Sequence, residues 1–123
     1  NEYLNAKIWT FQGDPLLLYV KTPELLDSMR NDFSSIKDTI EKINSVPVVV
    51  WDDVGVEKTT DWVLEKLYTM IDARYSEELA NIFTSNLDLI GLENRLGSRI
   101  ASRIIAMTDQ IELTGQDYRR LEI

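Results

Sequence analysis

Residues 46–55 read VPVVVWDDVG, an apolar, β-branched run that breaks off into Asp52 and Asp53 and then a glycine. A continuous apolar run of this length predicts a buried strand over 46–51, covered on both sides as in a parallel sheet. Adjacent carboxylates at the tip of such a strand repel each other and resist burial. A cationic partner is therefore expected beside them.

Outward from this strand, PLLLYV at 15–20 reads as a second buried strand, and NIFTSN at 81–86 as a third that ends in polar residues. DQIELTG at 109–115 alternates and stops at glycine, which predicts a fourth. Between them lie helical patterns. NEYLNAK reads as a helix tail, and Thr22 is placed as the N-cap of a helix running toward Phe33, with Pro23 at its first position. Ile36, Ile40 and Ile43 mark one face of the next helix. Thr60 is placed as the cap of a long helix to about Tyr75, with Trp62, Leu64, Leu67, Tyr68, Ile71 and Tyr75 as its apolar positions. Two short helices follow, over 89–94 and 97–107. Strands alternating with helices predict an α/β fold, a three-layer αβα arrangement with a mostly parallel sheet. In such sheets ligands lie beyond the carboxyl ends of the strands. Asp52 and Asp53 end one strand, and Thr84, Ser85 and Asn86 end another.

Composition narrows the chemistry. The 123 residues suffice for a single core, and no apolar run is long enough to span a bilayer. Without a basic and then apolar leader pattern, the cytoplasm is the expected location. Cysteine and histidine are both absent, which excludes a disulfide framework, a thiolate nucleophile, a zinc site of the usual kind and a histidine general base. The remaining donors suit an oxygen-ligated ion such as Mg²⁺. A net charge of −8 argues against coating nucleic acid by bulk electrostatics. A local groove stays open, because Arg95, Arg99, Arg103, Arg119 and Arg120 fall in the last third.

The acidic pair has three readings. It could end a strand at a plain turn, with both aspartates solvated or capping the next helix. A phospho-acceptor receiver needs its pair near the N-terminus and a third Asp on a later strand, which this sequence lacks. The third reading is a Walker B arrangement, with Asp52 on the metal side and Asp53 polarising the attacking water. Asn86, on the neighbouring tip, would hydrogen-bond that water and a γ-phosphate. Arg95, Arg99 and Arg103 are spaced by four and form one helical stripe, a fork suited to phosphate or else a solvated face.

The segments VVVWDDVGVEKTTDW, IFTSN, RLGSRIASRI and LTGQDYRR, in that order, resemble the AAA+ ATPase domain of bacterial DnaC/DnaI-type helicase loaders. The resemblance spans residues 15–120. It implies ATP and Mg²⁺ as cofactors, Asp52 and Asp53 as the Walker B pair, and Asn86 as the sensor 1 residue. It further implies Arg103 as an arginine finger acting in trans within a homo-oligomer, and Arg119 as the sensor 2 arginine. Phe33, Thr60 and Trp62, with Lys58 nearby, match positions that contact single-stranded DNA; bases stack on aromatic rings without sequence preference. The implied partners are that DNA and the replicative helicase, with no membrane. The sequence departs from the family at two points: Asp53 stands where many relatives have Glu, and no G-x-x-x-x-G-K-[ST] loop occurs, the only glycines being Gly13, Gly55, Gly91, Gly97 and Gly115. Residues 1–123 are therefore expected to be a partial AAA+ domain running from just after Walker A through sensor 2, its sheet incomplete at the N-terminal edge. A transposase-associated ATPase and a nucleotide-free interaction module remain as alternatives.

Overall fold

In the computed structural model, which describes residues 6–32, 34, 36–55 and 60–113, the first two elements form a hairpin. Strands β1 (Ala6–Phe11) and β2 (Asp14–Lys21) pair antiparallel. Gln12 and Gly13, at φ 53° and 85°, make the connection, and positive φ at both central residues matches the right-handed twist of the strands. Ala6 and Lys7 thus belong to a strand and not to the helix tail expected from NEYLNAK; cross-strand pairing to Val20 and Tyr19 claims them. Residues 1–5 lie outside the described residues.

Helix α1 (Thr22–Asn31) starts directly off β2. Lys21, rather than Thr22, is its N-cap, without a side-chain cap bond, and Thr22 is buried inside the first turn. The strand runs straight into the helix, so no residue is left over for a capping turn. Helix α2 (Ile36–Ser45) buries Ile36, Thr39 and Ile43. Strand β3 (Val48–Asp52) comes next, then α3 (Asp61–Ser76), β4 (Ala80–Phe83), α4 (Leu89–Leu96) and α5 (Ser98–Met107). The sheet order is β1-β2-β3-β4, with β2, β3 and β4 parallel. The fold is α/β with a mostly parallel sheet, as expected. Residues 109–113 form no strand: Ile111 and Leu113 are 84% and 87% exposed, with no ladder partner among the described residues.

Parallel register sets Leu18 beside Val49 and Val20 beside Trp51, and these four side chains are fully buried on one face. Helix α3 joins the same cluster through Val63, Leu67, Met70 and Ile71. Burying a side chain of this size contributes about 1.5–3 kcal/mol. The buried face of α3 is therefore rotated from the one read in the sequence: Val63 and Met70 are inside, whereas Trp62 and Tyr75 are 41% and 40% exposed. Along β3 the burial alternates, with Val48 and Val50 on the less covered side.

Arg74 is the largest polar side chain in the core, at 0% exposure. Its Nε donates to Asn81 Oδ1 at 2.6 Å, Nη1 to the carbonyls of Ile43 and Val46 at 2.6 and 2.7 Å, and Nη2 to those of Pro47 and Ala80 at 3.2 and 2.7 Å. One guanidinium thereby ties the end of α2 to the starts of β3 and β4. Burial pushes its pKa down to about 10. No helix among the described residues is long and apolar enough to cross a membrane.

Candidate functional site

The carboxyl ends of β2, β3 and β4 meet at one edge. Asp52 closes β3, half-buried, and its carboxylate accepts two hydroxyls from the flanking strands. Tyr19 of β2 donates to Oδ2, and Thr84, directly after β4, donates to Oδ1 at 2.5 Å. Thr84 Oγ1 also accepts from the Asp53 amide at 2.9 Å. Thr84 is itself fixed by backbone pairing, its N–H to Trp51 O at 3.0 Å and its carbonyl to Val54 N at 2.8 Å.

These contacts answer the repulsion expected at the acidic pair. The Thr84 and then the Tyr19 hydrogen bond hold the Asp52 carboxyl below its ordinary pKa, against the opposing effect of burial. The same bond to Asp52, helped by burial, pushes the Tyr19 phenol up to about 12. The expected cation contributes least: Lys21, the register partner of Asp52, lowers its pKa less than the hydroxyls do. Hydroxyl donors, more than the positive charge of Lys21, stabilise the ionised Asp52 carboxylate at this tip.

Asp53 is exposed and sits at φ 57°, a left-handed conformation that Asp and Asn tolerate better than most residues. The loop then needs Gly55, at φ 89°, where a Cβ would lie 2.9 Å from Leu87 Cδ1 and 3.0 Å from Leu92 Cδ2. Opposite it, Ser85 Oγ donates to Val54 O at 2.6 Å and accepts from Leu87 N at 3.1 Å. Asp88 caps α4 by accepting from Gly91 N at 2.8 Å. Asn86 stands exposed in the bend between these anchors. The structure therefore brings Asp52, Asp53 and Asn86 to one edge and adds Tyr19 and Thr84.

No group of three or more His, Cys, Asp or Glu side chains among the described residues forms a self-sufficient metal cage. One or two carboxylates among hydroxyls and an amide instead fit Mg²⁺, which completes its shell with water and phosphate oxygens.

Of the arginine stripe, read as a phosphate fork or else a solvated face, Arg99 and Arg103 are engaged in ion pairs with α3. Arg99 pairs with Glu65 at 2.5 Å and lies over the Tyr68 ring at 4.4 Å. Arg103 Nε donates to Asp72 at 2.7 Å, with its guanidinium 5.1 Å from the centre of the Tyr75 ring. Both are seated on α3 because Ile100 and Ile104 of the same helix enter the core and fix its roll. Asp72 lies three turns into α3, about 16 Å from its start at 1.5 Å per residue. Arg103 is thus remote from the acidic pair of its own chain.

Thr60 caps α3, its hydroxyl accepting from Val63 N at 3.2 Å, a contribution of about 1 kcal/mol. Trp62 lines an open groove of about 520 Å³ with Ile36, Lys37, Ile40, Glu41 and Lys66. Lys66 Nζ lies 5.4 Å from the centre of the Trp62 ring. Phe33, Lys58 and Arg119 lie outside the described residues.

Solved structures share this fold. The crystal structure of DnaI superposes with a TM-score of 0.73 at 26% identity, covering 84% of this chain and 60% of that one. The crystal structure of the DnaC helicase loader gives 0.65 at 28% identity, over 80% of this chain and 60% of that one. The chain has the fold of the DnaC/DnaI-type AAA+ domain. Its sequence agrees, being 24% identical over 119 residues to the replicative helicase loader DnaI of Bacillus subtilis (strain 168). That alignment covers 85% of this chain and 38% of the relative, so the chain spans well under half of that loader's length. No protein-family model matches.

Proposed function

We propose that the acidic edge of this loader-type AAA+ domain binds magnesium–ATP, and that the whole protein uses it to place a replicative helicase on single-stranded DNA. The observation that carries the reading is the convergence of Asp52, Asp53, Thr84 and Asn86 on one edge of a loader fold. Asp52 would hold Mg²⁺ through its water shell. Bound there, the ion would neutralise charge on the nucleotide's phosphates. Asp53 is the general base that orients and deprotonates the attacking water, and Asn86 holds that water toward the γ-phosphate. Arg103 serves the site of a second copy in a homo-oligomer, and Arg119 the site of its own. The phosphate-cradling loop would come from polypeptide beyond these 123 residues.

The groove beside Trp62 suits single-stranded DNA, with an indole for stacking and Lys37 and Lys66 for the backbone. Phe33, Thr60 and Lys58 are proposed as further contacts to that DNA. In the full-length protein, Trp62→Ala should weaken oligonucleotide binding about tenfold by fluorescence anisotropy, the loss of one stacked base. Unchanged affinity there would return Trp62 to a packing role.

The function itself is tested by loading. Full-length protein, its replicative helicase and circular single-stranded DNA should yield DNA-bound helicase only with ATP, and Asp52→Ala should abolish the yield. A partner screen that returns a transposase in place of the helicase would move the chain to the transposase-associated ATPases. Equal loading without ATP would leave a nucleotide-free interaction module.

A further inference from the structure

The strand read from PLLLYV carries one polar side-chain atom, the Tyr19 hydroxyl, and it is directed to the acidic tip. Tyr19 pairs in register with Val50 on β3, so its side chain stands on the same face as Asp52 and reaches diagonally along that face to Oδ2. From the other side of β3, Thr84 takes Oδ1 at 2.5 Å. The terminal torsion of an aspartate is broad, and a single hydrogen bond leaves the carboxylate free to rock. One donor on each oxygen, from two different strands, fixes its plane. Each carboxylate oxygen can accept about two hydrogen bonds, and the two hydroxyls take one on each.

We propose that Tyr19 is a positioning residue of this edge: with Thr84 it clamps the Asp52 carboxylate from opposite sides and aims its remaining lone pairs at the water shell of a bound magnesium nucleotide. The inference rests on Asp52 being the metal-side carboxylate. A packing role would require only the Tyr19 ring. A positioning role requires the oxygen, which Tyr19→Phe alone removes.

The test uses the full-length protein and two readouts, the Mg²⁺ concentration for half-maximal ATP hydrolysis and the binding of Mn²⁺ with ADP followed by electron paramagnetic resonance. Tyr19→Phe should raise the half-saturating Mg²⁺ about tenfold and weaken Mn²⁺ binding by a similar factor, the loss of one charge-assisted hydrogen bond. The KM for ATP at saturating Mg²⁺ should stay within about twofold. Thr84→Val should behave likewise, and Thr84→Ser, which restores the hydroxyl, should return to wild type. Wild-type metal dependence in Tyr19→Phe, beside a defect in Asp52→Ala, overturns the positioning role and leaves the nucleotide site standing. Wild-type metal binding in Asp52→Ala overturns both. Circular dichroism and thermal melting of each variant separate these results from loss of fold.

Discussion

Replacing Arg74 by methionine is expected to lower the unfolding free energy by about 3–5 kcal/mol, a large share of the roughly 5–15 kcal/mol of an ordinary domain. Methionine fills similar volume, so the loss is not chiefly a cavity. It arises because the carbonyls of the buried Ile43 and Val46 lose this donor, as does that of the exposed Ala80, whereas Pro47 O keeps the Ala80 amide and Asn81 Oδ1 keeps Trp51 Nε1. Each orphaned acceptor costs about 1–3 kcal/mol, less where water enters. Asn81 also accepts from Trp51 Nε1 at 3.1 Å, so the disturbance reaches the strand that carries Asp52. A melting curve should show a midpoint lower by about 15 °C. Arg74→Lys, with charge but no fork, should fall between the two. A midpoint within 3 °C of wild type for Arg74→Met would contradict this account of the core.

Arg103→Ala should reduce ATP hydrolysis by the full-length protein about a thousandfold, the lower end of what an arginine finger supplies. The geometry makes a sharper claim. Arg103 is held by Asp72 and Tyr75 three turns down α3, away from its own acidic edge, so the proposed finger role requires a second copy. Subunits carrying Arg103→Ala and subunits carrying Asp53→Asn, each inactive alone, should therefore recover activity when mixed. The recovering interface pairs an intact Asp53 with an intact Arg103 from its neighbour. Mixtures that stay inactive, or an Arg103→Ala protein that hydrolyses normally by itself, would remove the residue from the reaction.

The parallel strands were legible because their apolar runs are short, β-branched and ended by polar residues, as at Asp52 and at Thr84. Thr60 was legible as a cap because its local spacing to Val63 is sufficient to make the bond. β1 was not, since AKIWTF pairs only once β2 lies beside it, and pairing is a tertiary fact. For the same reason the alternating 109–113 segment reads as a strand yet forms none among the described residues. At the site, the carboxylates and Asn86 announce themselves by type and position. Tyr19 does not, because a tyrosine in an apolar strand looks like packing until the register shows where its hydroxyl falls. The ion pairs of Arg99 and Arg103 were not legible because their partners, Glu65 and Asp72, lie on a helix distant in sequence. Arg74 was hidden likewise: its five acceptors come from segments that only the fold assembles.

If the β3 tip is a catalytic magnesium–nucleotide edge, Asp53→Asn in the full-length protein reveals it. Asn tolerates the left-handed backbone at φ 57° and leaves the Asp53 amide free to keep its bond to Thr84, so only the basic oxygen is lost. Measured side by side, kcat for ATP hydrolysis should fall at least 100-fold while the ATP dissociation constant stays within about threefold. Hydrolysis at the wild-type rate, with nucleotide still bound, would contradict that reading.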